Sequence, residues 1–416
     1  MQLNALKRSS ALGAAAAVFG LSASTPLDAQ VADVAVRTTF FHEPSSTSKM
    51  TVLNPALRVG VRPAEWLGLE AGYEADIVTG ASESIKGGAL AAVDVVSSAT
   101  SFTETRHAAR FGFDVTRDAA RLAAAYAYGT ESDYRSHSIS VSAATDFLQK
   151  NTTLELSYAR GFDEVCTSAF GVSDAPSIRL PLDASSGCFS DDEDRAAREV
   201  SLDSFQAGWT QAWTPVLVTQ AVVTAGLQHG FLENPYRAVV LAPAGDQALE
   251  NHPDNRARAA LALGGRYYVR PVKTAFGLRL RGYRDTWDIL SLTAEASGEY
   301  YVFPWLRLLI RGRYYAQSGA LFWSDDYTGG EPATGPRGQY WSGDRELSPL
   351  RSYLVGGRVL AVWQGSETRV AGMFTRLSLG VSLDLMQTDL KDFTWAGRSP
   401  DDTRAIVLSP SLNGDF

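Results

Sequence analysis

Cysteine is nearly absent from this chain of 416 residues: there are two, Cys166 and Cys188. Two cysteines exclude a disulfide-dense scaffold, and alone they make no metal site of known spacing. Both fall in one polar, acidic segment. In an oxidising compartment they are expected to form a disulfide with each other; two free thiols in a loop are the alternative. Long apolar runs are missing as well. Ser204 to Leu232 has no formally charged residue, but Pro215 interrupts it, and Thr219, Gln220 and Thr224 break its apolar part, Val216 to Leu227. A spanning helix needs about 20 predominantly apolar residues, a barrel strand only about 9 to 11. Two strands joined at Thr214-Pro215 fit better. Positive charge is not in excess either. A net charge of −8 argues against a nucleic-acid partner, which needs a basic footprint. No phosphate-binding glycine loop, zinc-protease helix or nucleophile elbow occurs. No cofactor, no metal and no enzymatic activity are therefore expected.

What remains is a chain with 45% hydrophobic and 20% charged residues, too apolar for disorder. Its mean hydropathy of −0.10 is too low for a helical membrane bundle but suits a barrel, in which lipid-facing and lumen-facing residues alternate and average out. The N-terminus has the layout of an export signal. Lys7 and Arg8 precede an apolar stretch, Ala11 to Leu21, and Ala29 before Gln30 is a cleavage candidate, with a cut after Ala23 as the alternative. The expected organisation is a signal peptide over 1–29 and one β-barrel over 30–416.

The mature part repeats runs of about 10 to 14 residues with period-two alternation. In Thr274 to Arg284, Phe276, Leu278 and Leu280 share one face while Arg279, Arg281 and Tyr283 share the other. Leu306 to Tyr315, Leu290 to Val302 and Phe374 to Leu385 alternate in the same way, and a helical period fits none of them. Sixteen such segments are read: 32–43, 50–62, 66–78, 104–116, 121–131, 135–147, 152–162, 199–213, 216–230, 257–270, 273–286, 288–302, 305–317, 349–363, 370–387 and 403–416. Short connectors such as Arg117-Asp118-Ala119-Ala120 and Phe303-Pro304 alternate with mostly longer ones at 79–103, 163–198, 231–256, 318–348 and 388–402. Short periplasmic turns and long extracellular loops are the layout of an antiparallel up-and-down barrel in an outer membrane. Trp66, Trp213, Phe303 and Trp305 beside the short turns are expected to form the inner aromatic girdle. A soluble β-sandwich would not predict that alternation of connectors.

The chain ends in Phe416 on a last alternating segment. A terminal Phe there resembles the signal read by the barrel-insertion machinery, although Gly414 and Pro410 depart from the apolar pattern. Several short stretches run in order along the chain: Asp94 to Thr100 with Glu104-Thr105-Arg106-His107, Thr130 to His137, Asn151 to Leu154, Asn234 to Val239, His252 to Arg256, and Asp325-Asp326-Tyr327. Together they resemble an uncharacterised family of proteobacterial outer-membrane proteins defined only as a domain of unknown function. That resemblance implies a barrel of this kind and supplies no activity and no catalytic residues.

The alternation points Arg266, Arg279, Arg281, Arg307, Arg311, Arg313, Arg358 and Arg376 into the bore, with Glu295, Glu299 and Asp384 on the same face. Arginine stays charged at any working pH, and charged rings set the selectivity of wet pores. The leading expectation is a porin-like channel for small polar or anionic solutes. The alternatives are a plugged barrel with a structural, assembly or partner-binding role, and an outer-membrane hydrolase built on rim residues such as His107 and His137. Three loop arginines, Arg135, Arg237 and Arg256, recur beside Tyr134, Tyr236 and Pro253-Asp254. They make either an anion-binding vestibule or ion pairs with Asp133, Asp254 and nearby carboxylates. The run Asp191-Asp192-Glu193-Asp194 is either a solvated loop or a cation bridge to lipopolysaccharide. Loop 79–103, with Gly87, Gly88 and Ala89 to Ala92, is expected to fold inward as a constriction. Outer-membrane lipid and lipopolysaccharide are the expected surroundings, and a homo-oligomer is possible by sequence.

Overall fold

The computed structural model describes residues 31–44, 49–81, 95–97, 102–171, 173–182, 188–189, 193–241, 246–324, 339–365, 369–391 and 403–416. The expected export signal, Gly87 to Ala92, Asp191 with Asp192, and Asp325 to Tyr327 lie outside these residues.

The chain is all-β. In chain order the strands are β1 (Val31–Pro44), β2 (Lys49–Ala64), β3 (Leu67–Ala81), β4 (Val95–Ser97), β5 (Phe102–Arg117), β6 (Ala120–Thr130), β7 (Tyr134–Phe147), β8 (Thr152–Ser168), β9 (Arg195–Thr214), β10 (Leu217–Gly230), β11 (Arg237–Leu241), β12 (Asp246–Leu249), β13 (Asn255–Val269), β14 (Thr274–Asp285), β15 (Leu290–Phe303), β16 (Leu306–Gln317), β17 (Leu350–Gln364), β18 (Arg376–Leu390) and β19 (Thr403–Asp415). Sixteen of them form one closed antiparallel barrel in which β1 pairs with both β2 and β19, so the sheet has no free edge. Among the described residues no helix is long and apolar enough to cross a membrane; the crossing is made by strands.

The wall is built by alternation. On β14, Phe276 (53% exposed), Leu278 (57%) and Leu280 (44%) face outward; on β16, Ile310 is 70% exposed. Side chains so apolar and so uncovered belong against hydrocarbon. At the end with the short turns, Trp66, Trp213, Phe303 and Trp305 are all exposed on this outer face. Phe303 stacks on Trp305 at 5.5 Å, and Trp305 on Trp363 at 6.3 Å, as an interfacial girdle requires. Phe416 packs on Phe374 at 4.9 Å, and its backbone N–H donates to Ala32 O.

All sixteen alternating segments coincide with barrel strands, with three differences. β8 and β9 run on to Ser168 and back from Arg195, farther than their alternation shows, and the Cys166–Cys188 disulfide, Cα atoms 5.8 Å apart, joins the end of β8 to the following segment. The strand expected from 370 begins at Arg376, because Ala371 (φ 50°) and Gly372 (φ 76°) turn the chain back on itself there. The segments 79–103 and 231–256, read as loops, contribute β4, β11 and β12, a second three-stranded sheet.

That second sheet belongs to a cap. The fully buried Ala238, Val239, Ala248 and Leu249 lie on it. Beside it, Trp287, Ile289, Ala320, Phe322 and Leu347 form a buried apolar cluster. Asn251 and Trp341 exchange backbone hydrogen bonds, and Glu250 accepts from Ser342 Oγ (3.1 Å) and Gly343 N (3.0 Å). The cap is tied to rim residues of the barrel where Tyr236 donates to Asp133 and Arg345 reaches Glu43 at 3.4 Å, and Arg237 pairs with Asp344 within the cap. It lies across the outer mouth.

Candidate functional site

The bore is lined by polar and charged side chains, and its lining follows from strand parity. On β13 to β18 every charged residue opposite the lipid face points inward, which places Arg266, Arg279, Arg281, Arg307, Arg311, Arg313, Arg358, Arg376, Glu295, Glu299 and Asp384 on the bore side. Some of these charges hold one another. Arg311 grips Asp384 with two hydrogen bonds, Nε to Oδ1 at 3.0 Å and Nη2 to Oδ2 at 2.6 Å. These residues are two strands apart, and Gly356 stands between them in register. A Cβ on Gly356 would come within 1.7 Å of Asp384 Oδ1, so only glycine lets the carboxylate lie flat across β17. Glu299 is shared by Arg266 and, at 3.7 Å, Arg307. Glu295 sits in register between Arg279 and Arg313.

Others are uncommitted. Arg258, Arg279, Arg281, Arg313, Arg358 and Arg376 make no ion pair among the described residues. The carboxylates of this sector are mostly taken: Asp285 accepts from Arg256 twice (2.9 and 2.5 Å), from Tyr283 OH and from two backbone N–H groups.

A second charged wall escaped the sequence reading. On β1 to β5, Arg58 pairs with Asp33 and Glu70, both at 2.9 Å; Arg62 pairs with Asp114 at 2.9 Å; Arg106 sits between Asp76 and Glu131. The signal was present, since these residues alternate with Val59, Val61 and Phe111, but a residue's cross-strand partner is not written in its own segment. Between the two charged walls, the inward face of β6 to β10 is small and mostly neutral, with Ala123, Ala125, Ser140, Ser142, Ser157, Gly208 and Thr224. Glu155 stands within it.

The histidines do not assemble. His42, His107, His137 and His229 have the parity of Phe40, Phe111, Ile139 and Leu227 and face outward near the outer rim. Tyr73 OH meets His107 Nδ1 at 2.7 Å, and Tyr126 OH meets His137 Nδ1 at 2.7 Å. The first pair joins β3 to β5 and the second β6 to β7, so β6 lies between the two imidazoles. His252 is instead buried in the cap, with Nδ1 3.0 Å from Leu232 O and Nε2 3.5 Å from Glu250.

The three loop arginines are not brought into one vestibule. Each is paired, but not with the carboxylates adjacent in sequence. Arg135 approaches Glu164 at 4.0 Å on the outer face and covers the Phe189 ring; Arg237 pairs with Asp344; Arg256 pairs with Asp285 and covers Trp287 at 4.1 Å. Asp133 is taken by Tyr236, and Asp254 by Asn255 Nδ2. At the rim, Glu104, Glu131 and Asp133 bring carboxylate oxygens within 4.8 Å of one another. Burial, then Glu104 and Asp133, pushes Glu131 up to about 7, against the pull of Arg106.

The sequence model of one protein family, described as a protein of unknown function (DUF3570), matches residues 9–360. No curated protein matches the chain. Among solved structures, the chain is similar to a bacterial polysaccharide outer membrane secretin, with 10% identity, TM-score 0.48, and coverage of 94% of this chain and 100% of that one. It is also similar to the outer membrane protein OpdK from Pseudomonas aeruginosa (10% identity, TM-score 0.42, 94% and 100% coverage) and to OccD3 (OpdP) from the same organism (7%, 0.44, 94% and 92%).

Proposed function

The chain belongs to the DUF3570 family, proteins of unknown function, and folds as an outer-membrane β-barrel; on that premise we propose that its bore passes small polar solutes and favours anions. The observation that carries this reading is the imbalance on β13 to β18. There Arg258, Arg279, Arg281, Arg313, Arg358 and Arg376 have no ion-pair partner among the described residues, while of the facing carboxylates Asp285, Glu299 and Asp384 are already paired and Glu295 alone stands unpaired against these six. Fixed positive charge on a low-dielectric wall concentrates anions at the entrance and along the path.

The test is single-channel conductance of the refolded mature protein in a planar bilayer under a salt gradient. Stable steps with an anion-favouring reversal potential are expected. The bias should shrink in Arg279→Ala and Arg313→Ala, which remove uncommitted charge. Arg311→Ala is a poorer probe, because it strands Asp384 and changes two charges at once.

The cap favours a second reading. A packed apolar cluster across the outer mouth suits a barrel that stays closed until the cap is displaced. A folded, heat-modifiable barrel that is silent in the bilayer would support this reading over the first, provided a cap variant restores conductance.

A further inference from the structure

One inward row of the barrel is charged at its two ends and uncharged between. Following register from strand to strand, Glu155 on β8 lies opposite Gly208, which lies opposite Val222, then Ala262, then Arg281 on β14. The adjoining row toward the outer mouth is Ser157, Gln206, Thr224, Ala260 and Tyr283. Its next neighbour brings in Arg258, between Gly226 and Asp285. Four strand spacings separate Glu155 from Arg281, about 19 Å of wall, a span that the two side chains shorten from either end.

Glu155, Arg258 and Arg281 line one cavity of about 640 Å³, together with Ser157, Gln206, Thr224 and Tyr283, well within the size of small-molecule sites. Every other charged residue lining it is committed: Glu70 to Arg58 and Arg110, Asp114 to Arg62, and Asp203 to Arg160. Glu155, Arg258 and Arg281 have no ion pair among the described residues. Arg258 Nε is shielded from solvent and without a hydrogen-bond partner, which is costly for a charged donor. Arg281 is steadied over the Tyr283 ring at 5.4 Å. Asp285 cannot serve Arg258, because Arg256, Tyr283 and two backbone N–H groups already occupy its oxygens.

We propose that this row is a binding site for a small zwitterion, a solute with a carboxylate or phosphate at one end, an ammonium at the other and a short apolar stem between. The anion lies at Arg258 and Arg281, the ammonium at Glu155, and the stem runs past Ser157, Gln206 and Thr224 on the cavity wall. The inference rests on the channel reading for the solute's access to the bore, and it adds a site with two poles where that reading gives only a bias. Guanidinium offers paired donors to the anion, and the cavity between the two poles gives the stem room.

The test is calorimetry on the refolded mature barrel in detergent, with ε-aminocaproate, caproate and hexylamine as probes. ε-Aminocaproate should bind at least tenfold tighter than either single-charge analogue. E155Q should lower its affinity to that of caproate, and R281Q should weaken ε-aminocaproate and caproate alike. Heat-modifiable mobility of each variant confirms that the barrel has formed. Equal affinity for ε-aminocaproate and caproate, tighter binding of hexylamine, or no binding of any probe would overturn the proposal. Calorimetry does not require conduction. Binding by a silent barrel would sink the channel reading and leave the site, whereas a conducting barrel that binds none of the probes would sink the site alone.

Discussion

The wall and the cap of this barrel bury their residues in opposite senses. In the wall, apolar side chains such as Leu278 and Ile310 are outside and exposed, while arginines and carboxylates are inside. In the cap, Trp287, Phe322, Val239 and Leu249 are buried, as in the core of a soluble domain. The wall draws its stability from a closed ladder of backbone hydrogen bonds and from lipid; the cap draws its own from apolar packing and paired charges in water. The two should therefore fail separately. Membrane insertion should depend on residues that the cap does not use, and closure of the outer mouth on residues that the lipid never meets.

The largest expected effect is on the cap. Trp287→Ala removes a ring that packs on Phe322 at 5.1 Å and on His252 at 5.2 Å, lies under the Arg256 guanidinium, and donates through Nε1 to Asn255 O. Truncating a buried Trp costs about 3–5 kcal/mol, more than a small loop assembly can absorb. Protease sensitivity of the segments 231–256 and 318–348 should rise sharply while heat-modifiable mobility persists. Loss of the folded barrel in this variant would break the division between the two regions. The converse is Ile310→Arg. A guanidinium on the lipid face costs about 2–4 kcal/mol near the midplane, so refolding into vesicles should drop while the segments of any barrel that does fold remain protease-resistant.

The same division explains what was legible in the sequence. A wall strand carries its instruction in its own residues: Phe276, Leu278 and Leu280 against Arg279 and Arg281 declare both strand and face. All sixteen strands were visible for that reason, whereas Arg258 and Asp285, inward by register on β13 and β14, were not among the charges read. Pairing is a property of two strands, and a parity argument does not supply it. Arg311 finding Asp384 across Gly356, or Arg256 finding Asp285 rather than Asp254, depends on register. The cap was invisible for a further reason. β4, β11 and β12 are three to five residues long, too short to show a period, and the hydrogen bonds to Leu249 and Glu250 beside them come from Trp341, Ser342 and Gly343 far along the chain. The zwitterion row was hidden likewise, since its ends are separated by more than a hundred residues and meet only through four strand pairings.

Gly356 sharpens the comparison from within the wall. Gly356→Ala should displace the Asp384 carboxylate, break its two hydrogen bonds with Arg311 and cost about 1–3 kcal/mol, the usual range for overpacking. The expected outcome is a lower midpoint in urea-driven unfolding from vesicles with no change in cap protection. The anion bias should change little, because the released Arg311 and Asp384 both face the bore with opposite charge.

Acidity should separate the regions most finely. Burial alone would push the His252 imidazole down, but its contact with Glu250, the nearby Glu233 and the Leu232 carbonyl outweigh burial and hold it above its ordinary value. A raised histidine contributes stability that is complete below its unfolded value, about 6.5, and is lost as pH rises through the folded one. Burial raises the Glu233 carboxyl, against the pull of His252 and Arg179, and Glu131 is pushed up to about 7. A carboxyl with a raised folded value costs stability once it must ionise, so these groups act in the same direction as His252. The wall's ion pairs rest on arginines, which keep their charge throughout this range. The cap should thus become easier to digest as pH climbs above the ordinary histidine value of about 6.5, while the barrel's heat-modifiable mobility stays constant. His252→Gln should flatten the steepest part of that profile. A cap equally protected at both ends of the range would show that its buried charges do not govern its closure, leaving the Trp287 cluster to do so alone.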